Sequence, residues 1–236
     1  MGTLIYDTFT APDGTHVVAH TPDTGPGWEI FTGNAVYADA LVIVSNSAAK
    51  KASTTSANSV LAKAKASGSQ DQTLSMTVQV MVDRRWPIAY MLVDDPDTTT
   101  GYYDVYFNAT GRRFYLRRYD WNGTSYDVTT IASGPYLSTE TSVGTHTFEW
   151  TRTASGRHII KYDGTVQIDI EEATYTHDGA IGIGLTYTTA DQAAVNDITW
   201  TGTPAAGGGA FSSRSRLVNA GGLGPAIRSH IAMAGG

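Results

Sequence analysis

The chain has 236 residues, 41% of them hydrophobic and 16% charged, and no apolar run approaches the roughly 18 residues of a membrane-spanning helix, so a globular protein with its own core is expected. Cysteine is absent, which excludes disulfides, thiolate-bound zinc and a thiol nucleophile. The net charge is −6; residues 204–236 hold Arg214, Arg216 and Arg228 without an acid, so the preceding body carries 13 basic against 22 acidic residues, a balance that argues against nucleic-acid binding.

Met1-Gly2-Thr3 leads straight into a strand-like Leu4 to Phe9, so no signal peptide is expected. Thr21-Pro22-Asp23-Thr24-Gly25-Pro26-Gly27 combines two prolines that preset φ with two glycines that allow φ > 0. It predicts an ordered loop with His20 hydrogen-bonded inside it and Trp28 delivered to the core. Residues 45–69 are rich in Ala, Ser and Thr, carry four lysines and lack acids and aromatics. A helix from Ala48 to Lys65 would have a poor apolar stripe, so a loop with one short edge strand at Ser59 to Ala64 is expected.

Leu74, Met76, Val78, Val80 and Val82 then alternate with polar residues, the period of a half-buried antiparallel strand. Further strands are expected at Trp86 to Val93, Tyr102 to Asn108, Phe114 to Tyr119 and Tyr126 to Ser133, separated by turn residues. A hairpin series follows: Thr147 to Trp150, the turn Ala154-Ser155-Gly156-Arg157, His158 to Gly164, and Thr165 to Ile170 after Asp163-Gly164. Asp-Gly between β-prone runs is a strong hairpin signal, because both central positions of a type I′ turn need φ > 0. Asp178-Gly179 is expected to turn in the same way into Ala180 to Thr186, and Asp197 to Gly202 forms the last strand. More than ten short strands predict an all-β sandwich or barrel over residues 1–203. Residues 204–236 open on Pro-Ala-Ala-Gly-Gly-Gly, a linker composition. Arg214, Arg216, Leu217, Val218, Leu223, Ile227 and Ile231 are too apolar a set for a solvated tail, and are expected to dock on another subunit or on the body.

Several segments together carry a family resemblance: Asp7-Thr8-Phe9, His20 through Trp28, Leu92-Val93-Asp94-Asp95 with Gly101-Tyr102-Tyr103, and Lys161-Tyr162-Asp163-Gly164 with Gly179-Ala180-Ile181-Gly182. The chain resembles concanavalin A-like lectin/glucanase jelly rolls of phage and bacterial proteins over residues 4–202. The resemblance implies an antiparallel two-sheet jelly roll. It also implies a non-catalytic structural or adhesion module of a virion (a capsid decoration, head fibre or tail component), made in the host cytoplasm, homo-oligomeric, and docked on other virion subunits through its C-terminal arm. A free carbohydrate-binding lectin and a laminarinase-like glycoside hydrolase are the alternatives, since one fold hosts all three roles.

Gln167-Ile168-Asp169-Ile170-Glu171 resembles the Glu-x-Asp-x-Glu motif of laminarinase-type hydrolases. On a strand Gln167, Asp169 and Glu171 would share one surface, with Ile168 and Ile170 in the core. An amide at the nucleophile's position cannot form the glycosyl ester, so an acidic surface strand is expected and no catalytic residues are assigned. His146, His158 and His177 are scattered over separate segments. Asp94, Asp95 and Asp97 offer oxygen ligands that would suit Ca²⁺ and are also ordinary turn residues; no other cofactor is expected. The remaining candidate is a glycan site. Six tyrosines, Trp121 and four arginines fall within the window from Tyr102 to Tyr126, and alternation sets Tyr115, Arg117 and Tyr119 on one face. With Tyr103 and Trp121 they supply rings and a guanidinium of the kind that holds a sugar, and equally the ingredients of a packed surface ladder.

Overall fold

The computed structural model describes residues 1–30, 41–45, 48–51, 60–64, 68–81, 87–93, 101–108, 111–123, 125–138, 143–185 and 193–205. Asp94, Asp95 and Asp97, and the arm residues Arg214, Arg216, Leu217, Val218, Leu223, Ile227 and Ile231, lie outside them.

The described residues form fifteen strands divided between two antiparallel sheets: β1 (Gly2–Asp7), β2 (Trp28–Ile30), β3 (Leu41–Val44), β4 (Ala48–Lys51), β5 (Val60–Ala64), β6 (Gly68–Val80), β7 (Ile88–Val93), β8 (Tyr102–Asn108), β9 (Arg113–Trp121), β10 (Tyr126–Ser133), β11 (Gly144–Arg152), β12 (Arg157–Tyr162), β13 (Thr165–Glu171), β14 (Ala180–Leu185) and β15 (Ala193–Pro204). The eight-stranded sheet runs β13-β12-β11-β6-β15-β4-β3, with β1 also on β15; the seven-stranded sheet runs β10-β9-β8-β7-β14-β5-β2. This is an all-β sandwich, as the strand pattern allows, in the two-sheet jelly-roll form that the family resemblance implies.

The sequence dictates the core through period two. Along β6, Leu74, Met76, Val78 and Val80 are buried while Ser75, Thr77 and Gln79 between them stay partly exposed. Among the described residues three fully buried tryptophans fill the space between the sheets, and each indole N–H finds an acceptor, as a buried polar handle must. Trp28 donates to Asp7 Oδ2 (2.6 Å), Trp150 to His158 Nδ1 (3.2 Å) and Trp200 to Gln72 Oε1 (3.2 Å). Asp7 is itself buried, and its other oxygen takes the Phe9 N–H (2.7 Å) and meets His20 Nε2 (2.8 Å). The proline-glycine loop therefore delivers Trp28 as expected, with Gly25 and Gly27 at φ 106° and 97°. His20, however, bonds to strand β1 rather than within its own loop.

The Asp163-Gly164 hairpin has φ of 44° and 75°, the backbone of a type I′ turn. Three expectations need correction. Gly179 does not turn: it lies extended, pairs with Gly68, and a Cβ there would stand 2.6 Å from the Leu92 backbone, so this glycine answers to close approach. Strand β5 is not an edge, because it pairs with both β14 and β2. Strand β4 also forms inside the segment expected as loop, pairing with β3 and β15. Pairing partners outweigh weak local propensity there.

Candidate functional site

On the outer face of the seven-stranded sheet the strand register assembles a band of aromatic side chains around one ion pair. Glu29, Lys63, Gly182, Tyr90, Asp104, Arg117 and Thr130 lie in register as a single row across the sheet. Along β8 the alternation sends Tyr102, Asp104 and Tyr106 to this face, and Tyr103, Val105 and Phe107 to the core. Tyr102 stacks on Tyr119 of β9 at 4.5 Å and 10°, and Tyr106 stacks on Tyr115 at 5.4 Å. Tyr126 of β10 meets Tyr102 edge-on at 5.2 Å and Trp121 at 5.0 Å. Ile88, Tyr90 and Tyr102 form the buried base of a cluster distinct from the main core, while Tyr106, Tyr119 and Tyr126 are its partly exposed margin.

Asp104 is fully buried at the centre. Its Oδ1 accepts from Arg117 Nε (2.8 Å), its Oδ2 from Arg117 Nη2 and from the Tyr119 hydroxyl (3.0 Å). The guanidinium lies 3.8 Å over the Tyr106 ring and 5.4 Å from that of Tyr119, and its side chain is 20% exposed. Burial pulls the Asp104 carboxyl above the ordinary carboxylate range, and the Arg117 and Tyr119 bonds oppose that rise. Arg117 loses solvation too, yet Asp104 holds it above its ordinary value. Burial raises Tyr102, Tyr119 and Tyr126 as well, so their phenols remain neutral donors across the physiological range.

Of the sequence-predicted glycan set, Tyr115, Arg117, Tyr119 and Trp121 are brought together on this platform. Tyr103 is not. It is fully buried on the opposite side of β8, stacked edge-on against His158 at 4.7 Å and Tyr175 at 5.3 Å. Period two forbids Tyr102 and Tyr103 from sharing a face, and Val105 and Phe107 set the phase. That same phase reading finds three residues the prediction left out: Tyr102, Asp104 and Tyr106. Tyr126 joins them across the β9–β10 hairpin.

The inward-facing polar groups build a brace. Tyr103 donates to Glu172 Oε1 (3.3 Å) and accepts from the Tyr175 N–H (3.2 Å); burial pushes its phenol up to about 12. Arg118 reaches Thr174 Oγ1 (2.8 Å) and Glu172 (3.4 Å), so the segment after β13 is strapped to β8 and β9. His158 is fully buried, and burial together with the nearby Arg152 charge drops its pKa to about 4. Trp150 donates to its Nδ1 and its Nε2 faces the Glu172 carbonyl (3.3 Å), the pattern of a neutral imidazole. His146 bonds to Asp163 and Tyr162, and His177 to the Leu92 carbonyl, so the histidines remain dispersed.

The acidic-strand expectation fails at one residue. A β-bulge between β12 and β13 pairs Ile160 with Ile168 and Lys161 with Val166, so Gln167 is the extra residue and turns in, 8% exposed. Asp169 and Glu171 are exposed, and Asp169 takes both arms of Arg157 at 2.7 Å. Gln167 thus leaves the surface that Asp169 and Glu171 share. A separate depression of about 260 Å³ lies on the outer face of the eight-stranded sheet.

No protein-family model matches this chain, and no curated protein does. Among solved structures it is similar to SCLam, a non-specific endo-β-1,3(4)-glucanase of glycoside hydrolase family 16, with a TM-score of 0.55 and 10% identity over 85% of this chain and 91% of that one. A family 16 endo-glucanase from Bacteroides ovatus gives 0.54 and 9%, covering 84% of this chain and all of its own. A galectin-like-fold protein from Bacillus subtilis gives 0.53 and 9%, over 85% and 96%. The fold is the concanavalin A-like jelly roll shared by these proteins. Activity does not travel with a fold at such identities.

Proposed function

We propose that this domain is a non-catalytic saccharide-binding module whose contact surface is the Tyr/Arg platform of the seven-stranded sheet. The observation that carries the reading is the Arg117 guanidinium set between the Tyr106 and Tyr119 rings and locked there by a fully buried carboxylate. Such a lock pre-orients rings and donors before a ligand arrives, so little ordering is left for the binding step. Stacked rings with neutral phenols suit the C–H faces and hydroxyls of a sugar. The Asp104–Arg117 pair cancels its own charge, which favours a neutral saccharide.

Non-catalytic action is supported by the carboxylates that the described residues place on this face. Hydrolysis needs two carboxyl groups about 5–9.5 Å apart. Both oxygens of Asp104 are engaged. Glu29 stands four strands along the row, about 19 Å away at the usual strand spacing. The finer reading is an adhesive or structural role in a virion, with residues 204–236 docking on a neighbouring subunit; the family resemblance and the apolar, acid-free composition of that arm support it.

A glycan array probed with the full chain tests the platform. Signal is expected on a neutral glycan, reduced at least tenfold by Trp121→Ala or Tyr115→Ala. A blank array would refute saccharide binding, and release of reducing sugar from a β-glucan would refute the non-catalytic assignment. Truncation after residue 205 should abolish oligomerisation while leaving the glycan signal; an unchanged oligomer would refute docking through the arm.

A further inference from the structure

The outer face of the eight-stranded sheet carries a second arrangement, remote from the platform and independent of it. Two adjacent register rows cross there. Asp197, Thr77 and Thr147 make one; Thr199, Ser75, Glu149 and Lys161 make the other. Adjacent same-face rows are about 7 Å apart along a strand, and neighbours within a row about 5 Å apart across it. Six of these seven residues line the 260 Å³ depression, Thr199 being the exception, and Gly164 lines it too.

Its walls are fixed by hydrogen bonds. Lys161 Nζ donates to Glu149 Oε1 at 2.6 Å. The β12–β13 turn is pinned onto β11 by Thr147 N–H to Asp163 Oδ1 (2.7 Å) and Asp163 N–H to the Thr147 carbonyl (2.9 Å). A bulge in β15 between Val195 and Asp197 re-aims the Asp197 side chain at the rim. Among the described residues, the hydroxyls of Ser75 and Thr77 and the carboxylate of Asp197 have no hydrogen-bond partner, although all three are only partly exposed. A concavity whose floor and one wall offer uncommitted hydroxyls and a carboxylate, facing an ion pair, is built for a ligand that both donates and accepts at closely spaced positions.

We propose that this depression is a second saccharide subsite, taking one neutral sugar ring. Asp197 accepts two ring hydroxyls, Ser75 and Thr77 exchange hydrogen bonds with the same face of the ring, and Lys161 donates to a third hydroxyl while Glu149 holds it in place. The volume lies just under the range of about 300–1,000 Å³ usual for larger ligands, which restricts the site to a single ring. Two carboxylates against one ammonium exclude an anionic sugar. With the platform on the other sheet, one domain would hold two glycan chains on opposite faces and gain avidity without further contacts.

Amide chemical shifts of the ¹⁵N-labelled full chain, titrated with glucose, galactose, mannose and N-acetylglucosamine, test this. At least one sugar should shift the amides of residues 75, 77, 147, 161 and 197 with about millimolar affinity. Asp197→Asn and the near-isosteric Thr77→Val should each weaken that shift about tenfold, as loss of one strong hydrogen bond would, with the rest of the spectrum unchanged. Trp121→Ala should leave it intact, which separates this site from the platform. The proposal is overturned if no sugar shifts these amides, if the shift survives both variants, or if calcium chloride alone produces it.

Discussion

Replacing Arg117 by Met tests the central pair of the platform. The methionine keeps most of the stem that packs beside Tyr106, but it removes both guanidinium bonds from a carboxylate with no solvent exposure. Only the 3.0 Å bond from Tyr119 would remain. Breaking a buried pair from one side costs about 3–5 kcal/mol, a large part of the 5–15 kcal/mol that typically holds a domain together. The cost depends on pH in a defined direction. Burial already raises the Asp104 carboxyl, and without Arg117 it rises further. A folded-state value above the unfolded value of about 3.9 means the native state binds more protons, so stability falls as pH rises from about 4 upward. Urea denaturation followed by tryptophan fluorescence should therefore show a deficit that is full at pH 7 and mostly recovered near pH 4. The double variant Arg117→Met, Asp104→Asn should recover much of the loss at pH 7, because the orphaned charge is gone. A single-variant deficit below about 1 kcal/mol at pH 7, or one independent of pH, would refute a buried, paired Asp104.

Other outcomes follow from the brace and the turns. His158 titrates near 4 in the folded chain and near 6.5 when unfolded, so the unfolded state alone is protonated between those values; stability should be complete above pH 6.5 and fall by about 3 kcal/mol on acidification to pH 4. His158→Gln should flatten that part of the denaturation profile. Gly179→Ala drives a Cβ to within 2.6 Å of the Leu92 backbone and should cost about 1–3 kcal/mol, several degrees of Tm by calorimetry. Gly164→Ala meets no atom within 4 Å, so only the strain of its 75° φ remains, about 1 kcal/mol. Equal Tm losses for the two glycines would contradict their different roles. Tyr119→Phe keeps the stack on Tyr102 but deletes one bond to Asp104, and should lower stability by about 1.5–3 kcal/mol with Tyr102 packing unchanged.

What was legible along the chain is what local chemistry controls. Strands β8 and β10 have the ends expected from period two and turn residues, and Asp163-Gly164 adopts the backbone its residue types demand. The same alternation by itself places Tyr115, Arg117 and Tyr119 on one face. Asp178-Gly179 misleads because Asp-Gly marks a turn only where both residues are free to take positive φ, and contact with Leu92 and Gly68 holds Gly179 extended.

By itself, then, the sequence determined an all-β sandwich, its hairpins and the face that each of the tyrosines on β9 occupies, since periodicity and turn chemistry act within a few residues. Tertiary structure alone decided which strands adjoin. Asp104 and Arg117 are 13 residues apart and become partners only through the β8–β9 register. A single inserted residue at the β13 bulge moved Gln167 off the surface that Asp169 and Glu171 occupy, and another at β15 turned Asp197 toward Thr77. Register and bulges are set by how whole sheets pack, a constraint that no window of neighbouring residues contains.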